Sequence, residues 1–390
     1  MNSTTLSKQR YSGPEVLRIL AMLMIIAGHL STANSWSFTT GSLNTVALSV
    51  FAAGGQAGVV MIIMLTGFFG IKAGATHKKA FILIVETVFY SVLTYLVSCA
   101  LGANMFRSKY IFFSLVPLIT NRSSTWFITL YLLLYALIPL LNAGINRLTQ
   151  RQHLMTILLF LFVWSVLPNT YEAFFPLQNH GYSFLWAFVL MYLIGAYLRT
   201  YPSRLNDRRM LTCGLLLLTA AALITGKIVT VFEIRTGSIW INRILRIILA
   251  LCTDGSMRGP LVILFGVLCL TLFTNIRGQA PKILRLISGS IFGVYLLHES
   301  SWLNRRMWDD VFRITDHESS RFFVLYAILT VLIIFAVCSA VDILRKLLLE
   351  QPVINSKLFA KAAGRVKTLY DGATDKLHIG RGNNSGVPHE

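Results

Sequence analysis

Apolar residues in this chain come in long blocks separated by short polar or charged stretches. Ten blocks approach the roughly 20 residues that cross a bilayer. They fall at about 14–33, 45–70, 80–101, 124–142, 153–169, 183–199, 210–232, 259–274, 283–299 and 322–344. The pattern predicts an all-α, polytopic transmembrane bundle of about ten spans, because helices satisfy every backbone hydrogen bond internally, as lipid demands. Two further apolar stretches, 110–119 and 239–252, are too short for an ordinary span and read as interfacial or re-entrant helices. The second has an alternative reading as an eleventh span, which would reverse the side of the C-terminus.

Composition agrees with that reading. The 390 residues are 55% hydrophobic and only 13% charged, against roughly 25% charged in a soluble domain. The net charge of +19 is better explained by cationic loops on the cytoplasmic side of a membrane than by nucleic acid, for which no partner is expected. The loops expected outside, 34–44 and 170–182, carry no Lys or Arg. This predicts both termini inside, N-in and C-in, in a multi-pass protein of the cell inner (cytoplasmic) membrane. The first apolar run lacks a cleavage motif and is expected to stay as an anchor. Residues 1–350 read as one membrane-embedded unit. Residues 351–390, with Lys357, Lys361, Arg365, Lys367, Lys376 and Arg381, read as a basic, disordered cytoplasmic tail lying against the lipid bilayer. The five cysteines have no metal-type spacing and read as small buried hydrophobes.

Chemistry concentrates in the first block. Arg18 and His29 are separated by ten residues that are all apolar or glycine. Eleven helical steps of about 100° come within about 20° of three full turns, so both side chains share one face, about 16 Å apart. Ser12-x-x-Glu15 looks like a capping box that starts the helix. A histidine in a span faces the bundle interior or a cavity, and neutral imidazole can act as a general base in acyl transfer. An arginine at the cytoplasmic mouth suits a phosphorylated donor. The competing reading has Arg18 snorkelling to headgroups and His29 bonding a neighbouring helix.

The Arg18-x10-His29 pattern resembles the hallmark of the acyltransferase-3 family of integral membrane acyltransferases. Other stretches are similar to the family in the same order. They are Gly58-Val-Val through Thr66-Gly67-Phe68-Phe69, Trp126-Phe127 through Tyr131, Tyr135, Pro139 and Asn142, Gly181 through Gly195, and Ser290-Ile-Phe-Gly293-Val-Tyr295-Leu-Leu-His298. The resemblance covers about 11–345 and makes 1–350 an expected acyltransferase domain of the glycan O-acetyltransferase type. It implies transfer of an acyl group, usually acetyl, from cytoplasmic acyl-CoA (acetyl-CoA) to a hydroxyl of an exported or cell-surface glycan or lipid-linked saccharide. His29 would be the catalytic residue and Arg18 would position the donor. Acyl-CoA is a substrate, and no bound cofactor or metal is expected. An extracytoplasmic partner protein would be one route to the final acceptor. A multispan saccharide transporter or flippase would share the hydropathy but not these motifs.

Four more residues are candidate substrate contacts. Glu86, an acid inside a predicted span, must be protonated or paired, and has a possible role in orienting His29. His298, followed by Glu299 at the outer end of the ninth span, is placed to meet the acceptor. Trp126 and Tyr131, with Tyr135, are expected to share a face on which sugar rings can stack, although interface belts and packing place aromatics similarly. Lys78 and Lys79 need only the topology to explain them. Gly54/Gly58 and Gly289/Gly293 read as close helix contacts.

Overall fold

A computed structural model describes residues 10–32, 36, 42–118, 126–167, 184–201, 207–232 and 256–350, with 364 and 368. Within the described residues every block expected to span is helical, the ninth in two pieces. The helices are α1 (Ser12–Thr32), α2 (Leu43–Ala73), α3 (His77–Ala100), the short α4 (Ser108–Leu115), α5 (Trp126–Ile145), α6 (Gln150–Leu161), α7 (Phe184–Thr200), α8 (Arg209–Val231), α9 (Pro260–Thr274), α10 (Lys282–Gly289), α11 (Ile291–His298) and α12 (Phe323–Arg345). A π-helical turn at Phe162–Val166 prolongs α6, and another at Lys346–Glu350 prolongs α12. Among the described residues there is no strand beyond a single bridge between Tyr11 and Gln279. Six helices are long and apolar enough to cross a membrane on their own, and α7 and α9 are shorter apolar helices. The expected tail and residues 239–252 lie outside the described residues, apart from 364 and 368.

The outer faces explain the solvent. On α12, Leu325, Leu329, Leu332, Ile333 and Val337 are all about half exposed. A continuous apolar stripe of that kind is costly in water and costs nothing in lipid. Cys213 likewise lies exposed rather than buried, while Cys269 and Cys338 are buried as expected.

α2 is the central strut, packed against α1, α7 and α9. Its contact with α1 is set by Gly55 and by Gly58, one member of the expected pair, rather than by Gly54. A Cβ built on Gly28 of α1 would stand 2.7 Å from the Cα of Gly55, so the two backbones meet there. Gly58 abuts Ala21, whereas Gly54 faces only the tip of Met24. Likewise Gly293 lies against Asp342, while a Cβ built on Gly289 would meet open space.

Polar contacts sort the helix ends. At the end that holds Arg10, Ser12 Oγ donates to Gly278 O at 2.9 Å, Asn142 Nδ2 donates to Gly70 O at 3.0 Å, and Arg209 reaches Asn275 O. At the other end, Asn44 Nδ2 donates to Glu318 O at 2.7 Å, Arg306 Nη1 donates to Leu101 O at 2.6 Å, and Ser165 bonds Arg258 O. Because α8 begins where α9 ends, both flanks of 239–252 lie at the Ser165 end.

The expected ninth span is broken. α10 stops at Gly289 and α11 starts at Ile291, with Ser290 Oγ donating to Ile287 O at 2.7 Å. Lys346 caps the freed Gly289 carbonyl. Interrupted backbone at membrane depth is tolerated where it lines a cavity, and Ser288, Gly289, Ile291 and Tyr295 do so.

Candidate functional site

Two features face each other through the bundle. The first is a cavity of about 530 Å³. Its cationic lining is Arg10, Arg18, Lys79 and Lys346, and its walls carry Met22, Ile25, Tyr131, Tyr135, Phe127 and Tyr295. The second is a polar cluster around His29, beside Tyr295.

Arg18 belongs to the cavity. Its Nη1 stands 2.8 Å from Glu15 Oε2, and its guanidinium lies 5.4 Å over the Phe69 ring. Glu15 also takes two bonds from Arg10, at 2.8 and 2.9 Å, and one from Ser288 Oγ at 2.5 Å. α1 therefore starts at Ser12 as expected but without a capping box. Ser12 and Glu15 spend their side chains on α10 and its preceding loop. A buried carboxylate with two arginines is a fixed anchor, and it holds Arg18 at the cavity wall.

His29 sits at the opposite end of α1. Its Nδ1 lies 2.9 Å from His298 Nε2 and 3.2 Å from Glu299 Oε2. His298 Nδ1 lies 2.6 Å from Val294 O. A carbonyl only accepts, so His298 Nδ1 carries its hydrogen and Nε2 presents a lone pair. His29 Nδ1 then faces two acceptors and carries the donor hydrogen, which leaves the lone pair on His29 Nε2. Asn304 Nδ2 holds Glu299 Oε2 at 3.0 Å and His298 O at 3.2 Å. The arrangement orients one imidazole as a base, by the logic that recurs wherever a third group holds a catalytic histidine. The His29 side chain is about 23% exposed, so a ligand has access to it, while His298 is fully buried.

His298 is thus a partner of His29 rather than a surface at which a sugar can dock. Sequence spacing gives no hint of this, since 269 residues separate the two histidines. Glu299 is visible as the neighbour of His298, but Asn304 opens the short helical segment Asn304–Arg306 and carries no sequence signal. Tyr295 was legible, because three residues before His298 on a helix is the same face.

The same cluster is the one group of three metal-type ligands among the described residues, with all ligand atoms within 4.8 Å of one another. Two nitrogens on one tetrahedral zinc, each about 2.0–2.1 Å from it, stand about 3.3 Å apart. The 2.9 Å between the imidazole nitrogens is hydrogen-bond distance, the arrangement that orients His29.

Glu86 is paired rather than protonated. Arg345 Nη2 meets its Oε1 at 2.9 Å, and Arg345 Nε meets Asp342 Oδ1 at 2.9 Å. Tyr90 Oη donates to the same Asp342 oxygen at 2.7 Å, and Lys346 Nζ reaches Asp342 Oδ2 at 2.8 Å. Glu86 is thus part of a clamp between α3 and α12 that also borders the cavity. Asp342, at i−3 and i−4 from Arg345 and Lys346 in an apolar span, was the signal for it.

The aromatic face of α5 is shifted by one residue. Phe127, Tyr131 and Tyr135 form the ladder, with ring centroids 6.0 and 6.4 Å apart, because i,i+4 neighbours lie about 40° apart on a helix and the five steps from Trp126 to Tyr131 amount to about 140°. Tyr131 lines the cavity and its Oη meets Thr66 Oγ1 at 3.2 Å. Trp126 packs against Phe127 and Phe184 and lies outside the cavity lining.

A family model described as an acyltransferase domain matches residues 11–339. No curated protein and no solved structure matches the chain.

Proposed function

Because the chain belongs to the acyltransferase-3 family and is a membrane acyltransferase, we propose that it moves an acyl group, acetyl first, from cytoplasmic acyl-CoA to a hydroxyl of an exported or cell-surface glycan. The observation that carries this reading is the shared helix. Arg18 opens a cavity with a cationic lining, and His29, oriented as a base, stands just past the end of that cavity. Coenzyme A is polyanionic, and guanidinium and ammonium groups suit its phosphates. The acceptor approaches His29 from the Thr32 end of α1. With the Arg10 end facing the cytoplasm of an inner-membrane protein, donor and acceptor enter from opposite sides.

In the transfer step His29 Nε2 removes the proton of the acceptor hydroxyl as its oxygen bonds to the thioester carbonyl carbon. The carbon–sulfur bond then breaks, and the departing thiolate takes the proton from His29. A hydroxyl and a thioester become an ester and a thiol. His298 and Glu299 hold His29 Nδ1–H throughout, and Glu299 offsets the positive charge the ring acquires.

The test is coenzyme A release and glycan O-acylation by membranes containing the full chain. His29→Ala should lower turnover by about 10²–10⁴-fold at an unchanged membrane level, since losing a polar group favours insertion. Arg18→Ala should raise the donor KM more than Arg18→Lys, which keeps the charge but loses the planar fork. Near-normal turnover in His29→Ala excludes the base role. Saccharide movement without coenzyme A release would make the chain a transporter.

A further inference from the structure

We infer that the ring layer of Phe127 and Tyr295 selects the length of the acyl group, an inference that rests on the acyl-CoA reading above. Along α1 the cavity is lined by Arg18, Met22 and Ile25, at steps of four and three residues. His29 is the next step of four and is not in the lining. Ile25 stands about 10 Å along the axis from Arg18 and about 6 Å short of His29. Rings fill that gap. Tyr295 lies 5.1 Å from Phe127 and 6.2 Å from His29, centroid to centroid. Phe127 and Tyr295 both line the cavity.

Neither ring swings freely. Phe127 is 7% exposed and Tyr295 4%. Phe127 is packed by Phe188 at 5.6 Å and stacked on Tyr131 at 6.0 Å, and Tyr295 stands edge-on to His298 at 5.9 Å. The hydroxyl that His29 activates must meet the thioester carbonyl, so the acyl chain attached to that carbonyl lies in or against this layer. A small acyl group fits beside the rings. Each added methylene must displace a side chain that close packing holds in place.

The experiment uses the purified full chain in nanodiscs, supplied with acetyl-, propionyl- and hexanoyl-CoA and a glycan acceptor. Its readout is the ratio of kcat/KM for each longer donor to that for acetyl-CoA. Phe127→Ala should raise the hexanoyl-to-acetyl ratio by about tenfold or more, the discrimination that methylene-sized misfits give. Phe127→Trp should lower the propionyl-to-acetyl ratio. Tyr295→Phe, which keeps the ring, should leave both ratios as they are. Leu83→Ala enlarges the same cavity one turn from Lys79 and should not change them either. Ratios within about twofold of wild type in both Phe127→Ala and Phe127→Trp overturn the inference, as does an equal rise in Leu83→Ala. If Phe127→Ala does not fold, Phe127→Trp and Phe127→Leu decide alone, with unchanged ratios counting against the layer. If the wild-type chain transfers none of the three acyl groups, the failure belongs to the acyl-CoA reading and not to the selector.

Discussion

At the scale of single residues, the informative fact is which nitrogen of His29 carries the proton. The answer propagates from a backbone carbonyl. Val294 O fixes His298, and His298 with Glu299 fixes His29. In the proposed mechanism Glu299 acts through His29 and is a positioning residue. Glu299→Gln keeps the shape and an oxygen that accepts from Asn304, yet it removes the charge that stabilises the imidazolium formed during transfer. We expect kcat to fall by roughly tenfold or more with the donor KM unchanged. The measurement is steady-state acyl transfer across a pH series, and an unaltered kcat would remove Glu299 from the mechanism. A purely structural acid would instead lower protein levels and leave the kinetics of the remaining enzyme intact.

At the scale of elements, α12 closes the cavity by its charged end. Arg345 has a side chain only 9% exposed, between Glu86 and the fully buried Asp342. Arg345→Ala would leave two buried carboxylates short of their shared cation. Breaking one partner out of a buried pair costs about 3–5 kcal/mol, so thermal melting in detergent should show a large loss. Adding Glu86→Gln and Asp342→Asn to Arg345→Ala should restore much of it, because neutral side chains no longer need the guanidinium. If the triple variant melts no higher than the single one, the clamp is held by packing instead. Glu86→Gln alone should keep more stability than Arg345→Ala, since Asp342 still holds Arg345.

At the scale of the whole molecule, the ends of the described helices alternate, and the contacts at each end group Arg10 with α9's end and Asn44 with the loop before α12. Both flanks of 239–252 share one end. A reporter fused after Glu350 should therefore be active on the cytoplasmic side, and one inserted near Asn179 on the outer side. Cysteine labelling or enzymatic reporters in intact cells read this directly. Arg10 and Lys346 line the same mouth, so an extracytoplasmic signal after Glu350 would turn that cationic mouth toward the outside, away from the cytoplasmic donor proposed above.

The sequence by itself determined the helices, the shared face of Arg18 and His29, and the family, because each depends on periodicity or spacing within one segment. Hydrophobic length marks a span, and 3.6 residues per turn places side chains on a face whatever the neighbours do. Only the tertiary structure decided the rest. It brought His298 and Glu299 to His29 and Asp342 to Gly293. It turned Phe127 rather than Trp126 toward the cavity, and moved the α1–α2 contact to Gly28 and Gly55 instead of Gly54. Each of these depends on which faces of separate helices meet. In an apolar bundle nearly every face is hydrophobic enough to be buried, so periodicity cannot choose among them. Small residues let two backbones approach and the few polar side chains need partners. Those requirements, met only when all the helices are assembled, determine the register.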